Sequence, residues 1–192
     1  TADNKTRLYG QANPTLTTTV SGFVNGESAS TAAGFAGAGT ASTTAVAATN
    51  VGTATITAGA GTLAATNYDF ANLTDGTLTI DKAHLTVTAD NQSRLYGQAN
   101  PSLTQTISGF VNNENLASSG VSGTALGSTS ATATTNVGSA AIVASTSGLS
   151  AGNYDFTASS TDGTLTIDKA HLTVTADNKT RLYGQANPTL TT

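Results

Sequence analysis

Cysteine, methionine and tryptophan are absent from the chain, and only three prolines, five tyrosines and five phenylalanines occur in 192 residues. Without cysteine no disulfide forms. Export is not thereby excluded, because oxidising compartments permit disulfides and do not require them. Charged residues make up 9%, far below the usual quarter or so. Lys and Arg total 7 and the net charge is −4, so the basic patch of a nucleic-acid binder is missing. No apolar run approaches the ~18 residues of a membrane helix, and membrane insertion is not expected. Low charge with modest hydrophobicity would also suit a disordered Thr/Gly/Ala tract. The order of the residues argues against disorder, because apolar residues and threonines alternate, which is the period of a half-buried strand.

That alternation is clearest in Asp75–Asn91, which returns unchanged at Asp162–Asn178. Leu78 and Ile80 alternate with threonines on one side; Leu85, Val87 and Ala89 do so on the other. Between them stand only Asp81, Lys82, Ala83 and His84, with no Gly, Pro or Ser run to act as a flexible linker. The stretch reads as the last strand of one domain running into the first strand of the next. The junction set is Ile80, Asp81, Lys82, Ala83, His84 and Leu85, and again Ile167, Asp168, Lys169, Ala170, His171 and Leu172. The apolar phase changes from even to odd numbers across it. A one-residue shift turns side chains to the other face. Either the strand bulges within Asp81–His84, or neighbouring domains take opposite faces of a shared strand.

Thr-Ala-Asp-Asn begins at Thr1, Thr88 and Thr175, a spacing of 87 residues, and residues 175–192 repeat residues 1–18. A fixed period of this kind is the signature of a tandem array. The domains expected are 1–83, lacking its first strand; 84–170, complete; and 171–192, the opening strands of a third. The chain then reads as a slice of a longer array. One residue is lost between Gly22 and Asn50 and regained between Phe70 and Asp75, which places loops there. In the complete repeat, strands are expected at His84–Ala89, Arg94–Gly97, Leu103–Val111, Ser139–Ala144, Asn153–Phe156 and Thr164–Ile167, with one or two more within 120–135. Asn25-Gly26 and Asp162-Gly163 are hairpin signals. The class is all-β: tandem Ig-like or elongated β-sandwich repeats joined end to end by continuous strands. Stacking of neighbours would support a thin core.

No nucleophile, base and orienter recur together, so no catalytic residue and no enzyme is expected. His84 and His171 are the only histidines; they read as exposed or junction-packing residues, with pH-tuned stiffness as the sharper alternative. Asp81, Asp90, Asn91, Asp168 and Asp177, with Asp3 and Asp75, gather near junctions. They are weak calcium candidates, since calcium takes six to eight oxygens while Asp and Asn are also ordinary turn residues. No other cofactor is implied. Tyr9, Tyr96 and Tyr183 each precede a Gly and are read as packing on the core with the hydroxyl bonded to backbone. Arg94 should pair with Asp or cap carbonyls. Asn4, Asn72, Asn91 and Asn178 open glycosylation sequons. Lys82 and Lys169 sit at junctions, where a core isopeptide crosslink is not expected. Thr53, Thr55, Thr57, Thr77 and Thr79 are read as strand-favouring residues facing water.

Arg-Leu-Tyr-Gly-Gln-Ala-Asn-Pro, followed by Ser-Gly-Phe-Val-Asn, Asn-Val-Gly, Asn-Tyr-Asp-Phe and Gly-Thr-Leu-Thr-Ile, resembles the MBG-type, Tyr-Gly class repeat domains of large bacterial surface adhesins, filamentous-haemagglutinin-like proteins among them. The resemblance covers nearly the whole chain. It implies an extracellular stalk or fibre at the bacterial surface. The partners expected are neighbouring repeats, head to tail, and a host or matrix glycan bound by a tip outside this segment. The alternative is an adhesive module that binds glycan or matrix through its repeat loops. A further expectation concerns the ends: the strand that residues 1–83 lack is present in 171–192, so one segment should pair with the next.

Overall fold

The computed structural model describes residues 1–159 and 161–192. Ten strands and no helix occur among the described residues: β1 Lys5–Leu8, β2 Thr40–Ser42, β3 Gly52–Gly59, β4 Gly76–Asp81, β5 Ala83–Ala89, β6 Gln92–Leu95, β7 Gln105–Ser108, β8 Gly138–Ile142, β9 Tyr154–Ala158 and β10 Gly163–Asp168. The protein is all-β. No described helix is long and apolar enough to cross a membrane. Strands form because their threonines and aliphatics alternate between solvent and core; Leu78 and Ile80 in β4, and Leu165 and Ile167 in β10, are buried while neighbouring threonines are not.

Three sheets result, in the orders β1-β4-β3-β2, β6-β10-β8 and β7-β5-β9. The repeats share one plan. β1 lies parallel to β4, and β6 parallel to β10. β3 is antiparallel to β4, and β8 to β10. In the second repeat β5 adds a further sheet, antiparallel to β7 and parallel to β9. Asn-Tyr-Asp-Phe therefore has two fates. At Tyr154 it opens β9, because β5 lies alongside; at Tyr68 the same residues form no strand. Identical local propensity gives a strand only where tertiary pairing exists.

Several expectations need correction. The strand foreseen over Leu103–Val111 is only Gln105–Ser108, because Gly109 turns the chain at φ 99° against the His84 carbonyl. Residues 120–135 hold isolated bridges, Ser122 to Ser150 and Ser128 to Val143, where glycines and small side chains give little surface to pack. Asp162-Gly163 is no hairpin turn: β9 pairs with β5, while β10 pairs with β6 and β8 in another sheet. Asn25-Gly26 does turn through left-handed backbone, φ 55° and 72°, but no hairpin strands flank it.

At the junction, β4 and β5 are separated by Lys82 alone and belong to different sheets. The backbone ladder does not run unbroken from one repeat to the next, as a single shared strand would require. What passes through is the core. One apolar cluster contains Tyr9, Ile56, Leu78 and Ile80 from the first repeat, Ala83 at the boundary, and Leu85 and Tyr154 from the second. The one-residue interruption at Lys82 accounts for the phase change. Leu78 and Ile80 before it, and Ala83 and Leu85 after it, reach the same cluster. A second, smaller cluster holds Ala89, Ile142, Leu165 and Ile167, so β5 feeds one core with its first half and the other with its end.

Candidate functional site

The inter-repeat junction is where the most specific side-chain chemistry gathers. Tyr9 follows β1 and is buried, as is Tyr154 at the start of β9. Their rings meet edge to face, centroids 5.5 Å apart at 81°, an arrangement favoured by the aromatic quadrupole. Phe110 adds a second edge contact to Tyr154, with centroids at 5.9 Å. Both hydroxyls donate to one carboxylate: Tyr9 to Glu114 Oε1 at 2.6 Å and Tyr154 to Glu114 Oε2 at 2.5 Å. The carboxylate thus joins a first-repeat side chain to two positions of the second. Donation to Glu114, and burial after it, raise the Tyr9 pKa above its ordinary value. For Tyr154 burial comes first and the Glu114 bond second, and the pKa is pushed up to about 12.

Polar contacts surround this centre. Asn153 Oδ1 accepts from the Val51 amide at 3.1 Å, and its Nδ2 donates to Asn50 Oδ1 at 3.0 Å. Lys82 Nζ donates to the Ala151 carbonyl at 2.8 Å. His84 Nδ1 and Asp155 Oδ1 lie 2.5 Å apart, both side chains well exposed. Gly10 has φ 83°, and a Cβ there would stand 2.3 Å from Val111 Cγ2 of the second repeat.

The junction residues named from sequence divide accordingly. Ile80, Ala83 and Leu85 enter the shared core, Lys82 and His84 make the polar contacts above, and Asp81 accepts the Tyr9 amide on its carbonyl, at 2.8 Å. In the second set Ile167 is buried in the smaller core and the Asp168 carbonyl accepts the Tyr96 amide at 2.8 Å, whereas Lys169, Ala170, His171 and Leu172 are exposed.

The tyrosines depart from expectation: the Tyr9 hydroxyl bonds a carboxylate of the next repeat and not backbone, Tyr96 is 43% exposed, and Tyr183 lies fully in solvent. Arg94 is buried and caps carbonyls, donating to Leu95 and Thr132 carbonyls and to Asn100 Oδ1; Arg7 does the same with Leu8, Val46 and Asn13.

The calcium candidates are engaged separately. Thr17 and Thr19 hydroxyls donate to Asp3 at 2.5 and 2.7 Å and hold its carboxyl below the usual carboxylate range. Thr106 donates to Asp90, the Ala58 amide to Asp75, and Thr191 to Asp177. Asn91 and the equivalent Asn4 cap the amides of Thr164 and Thr77. No group of three or more His, Cys, Asp or Glu poised to hold a metal occurs among the described residues. Sequence reasoning missed Glu114, Asn153 and Val111. A signal for the first was present: the only two glutamates, Glu27 and Glu114, stand one repeat apart.

The fold and this junction define a tandem β-repeat protein whose units are welded by an aromatic and carboxylate contact. Residues 1–79 and 85–166 each match the MBG domain (YGX type), and the chain belongs to that family. Searches of curated proteins and of solved structures give no match. The geometry supplies a physical reading of the Tyr-Gly pair in this chain: at Tyr9-Gly10, Tyr reaches into the next repeat, and Gly leaves room for that repeat's Val111.

Proposed function

We propose that the chain is a load-bearing segment of a bacterial cell-surface adhesin, a rod of tandem repeats, extracellular, that projects a binding tip or forms a surface filament. The observation that carries this reading is the apolar cluster shared by both repeats, Ile80 and Tyr9 on one side and Leu85 and Tyr154 on the other. A linker of one residue between strands, a common core and a bridging carboxylate oppose bending in a way that a slack tether would not. The units are 1–83, 84–170 and the opening of a third at 171–192, and their role is mechanical and not catalytic.

Spin-label distances and solution scattering test it. The distance between labels placed in the two repeats should be narrowly distributed, and the scattering profile of the 192-residue chain should fit one fixed orientation of its repeats. A broad distribution would overturn the rod. Binding of the chain to an array of host and matrix glycans would instead favour adhesion through the repeat loops.

A further inference from the structure

Three strand pairings among the described residues are parallel, and each joins an early strand of a repeat to a late one: β1 to β4, β6 to β10 and β5 to β9. Gln92 stands opposite Leu165 and Leu95 opposite Asp168; Ala83 stands opposite Tyr154 and Val87 opposite Ala158. Further bonds close each ladder at both ends. Beside β6 and β10 the Thr164 amide donates to Asn91 Oδ1 at 2.8 Å, and the Tyr96 amide to the Asp168 carbonyl at 2.8 Å. Beside β1 and β4 the Thr77 amide donates to Asn4 Oδ1 at 2.8 Å and the Tyr9 amide to the Asp81 carbonyl at 2.8 Å. Beside β5 and β9 the Ala83 amide donates to the Asn153 carbonyl at 3.0 Å and the Ser159 amide to the Val87 carbonyl at 2.8 Å.

This arrangement decides how tension crosses a repeat. The strands of the second repeat begin at Ala83 and end at Asp168. A pull along the chain draws β5 and β6 towards their N-terminal ends. It draws β10, and β9 before it, towards their C-terminal ends. Parallel partners are thereby drawn in opposite directions along their own axes. Their bonds run across the strands at even spacing, so the load falls on all the bonds of a pair together. A hairpin pulled at its two free ends opens one bond after another instead. While both ladders hold, residues 96–153 carry no tension. Load also passes between repeats without slack, because β4 and β5, each in a parallel pair, are separated by Lys82 alone.

We propose that these parallel pairs are shear clamps by which each repeat withstands tension along the chain: β6 with β10 and β5 with β9 in the second repeat, β1 with β4 in the first. The function added is resistance to extension, as distinct from resistance to bending. It goes beyond the rod reading, which stands on the apolar core shared by the repeats. A stiff array without a clamp peels under a weak pull, and a clamped array with slack junctions still holds, so either reading can fail alone.

The chain has no cysteine, so paired cysteines supply the handles for single-molecule pulling on the full chain. Gln92→Cys with Asp168→Cys loads the β6–β10 pair from opposite ends, in shear. Gln92→Cys with Thr164→Cys loads it from one end, as a zipper. The shear pair should rupture at a severalfold higher force. Pulled from its two ends, the natural sequence should release the second repeat in one step of roughly 300 Å of chain, the extended length of residues 83–168 less the folded span. Tyr96→Pro then removes one clamp bond alone. Tyr96 is second in the Leu95–Gln98 turn, whose third residue, Gly97, has φ 86°, and that second place accepts Pro. Compared with Tyr96→Ala, which keeps the amide, Tyr96→Pro should rupture about two- to tenfold faster at fixed force in shear. In the zipper geometry, where that bond lies at the far end, the two should rupture alike. Equal rupture force in the two geometries, release of the second repeat in several short steps, or equal rates for Tyr96→Pro and Tyr96→Ala in shear would each overturn the proposal.

Discussion

Tyr9 and Tyr154, one from each repeat, donate to the two oxygens of a single carboxylate while their rings touch edge to face at 5.5 Å. A bond to a charged acceptor is worth about 1.5–3 kcal/mol, so Tyr9→Phe and Tyr154→Phe should each lower unfolding stability by that order. Tyr96→Phe, at the half-exposed counterpart, should stay within about 0.5 kcal/mol of the parent. Because both tyrosines share Glu114, the two changes should not be additive in a double-mutant cycle. Denaturant unfolding of the parent, the single variants and the double variant measures this; strict additivity would show that the carboxylate is not a shared acceptor.

The same pair sets an alkaline limit. The pKa of Tyr9 is raised in the folded chain, and that of Tyr154 stands at about 12, against about 10 for a free tyrosine. A raised folded pKa means that the contribution is fully present below about pH 10 and is lost as pH climbs through the folded value. The natural chain should therefore keep a constant stability advantage over a Tyr9→Phe, Tyr154→Phe variant from neutrality to about pH 10, and lose it towards about pH 12. Thermal unfolding of both across that range is the check. Parallel curves throughout would remove the tyrosines as the source.

Much of this architecture was legible because the chain repeats itself. The period, the all-β class and most strands followed from alternation in segments such as Leu78–Ile80 and Leu85–Ala89. Where sequence reasoning stopped, the cause was pairing between distant segments. Nothing local tells Asn67–Phe70 from Asn153–Phe156; only β5 beside the second makes it a strand. Glu114 escaped notice because its partners lie 105 and 40 residues away. The phase change at the junction was visible, but not that one interruption at Lys82 would turn both halves into a single core.

Coupling between repeats follows from which core a residue enters. Leu85 lies in the shared cluster and Ile167 in the smaller one; both are essentially fully buried. Truncation of either to Ala should cost about 2–5 kcal/mol. Leu85→Ala should lower the stability of both repeats, whereas Ile167→Ala should weaken the second far more than the first. Hydrogen exchange resolved by residue separates these outcomes, with the amides of Ile56 and Ile142 as reporters of the shared and the smaller core. Equal loss of protection from both variants would mean that the cores are not distinct.

Gly10 and Gly97 offer a test of the Tyr-Gly pair in one molecule. Both turn through left-handed backbone, φ 83° and 86°, so Ala at either carries a strain of about 1–2 kcal/mol. Only Gly10 faces a neighbour: its Cβ would meet Val111 at 2.3 Å, while a Cβ on Gly97 meets nothing within 4 Å. Overpacking of this kind adds about 1–3 kcal/mol. Gly10→Ala should therefore destabilise more than Gly97→Ala, and because the Val111 Cβ itself would stand 2.5 Å from the new methyl, Val111→Gly should relieve the excess at Gly10 without changing the cost of Gly97→Ala. Equilibrium unfolding of the single and combined variants decides it. If the two glycines respond alike, the Gly serves the turn only, and the neighbouring repeat does not constrain it.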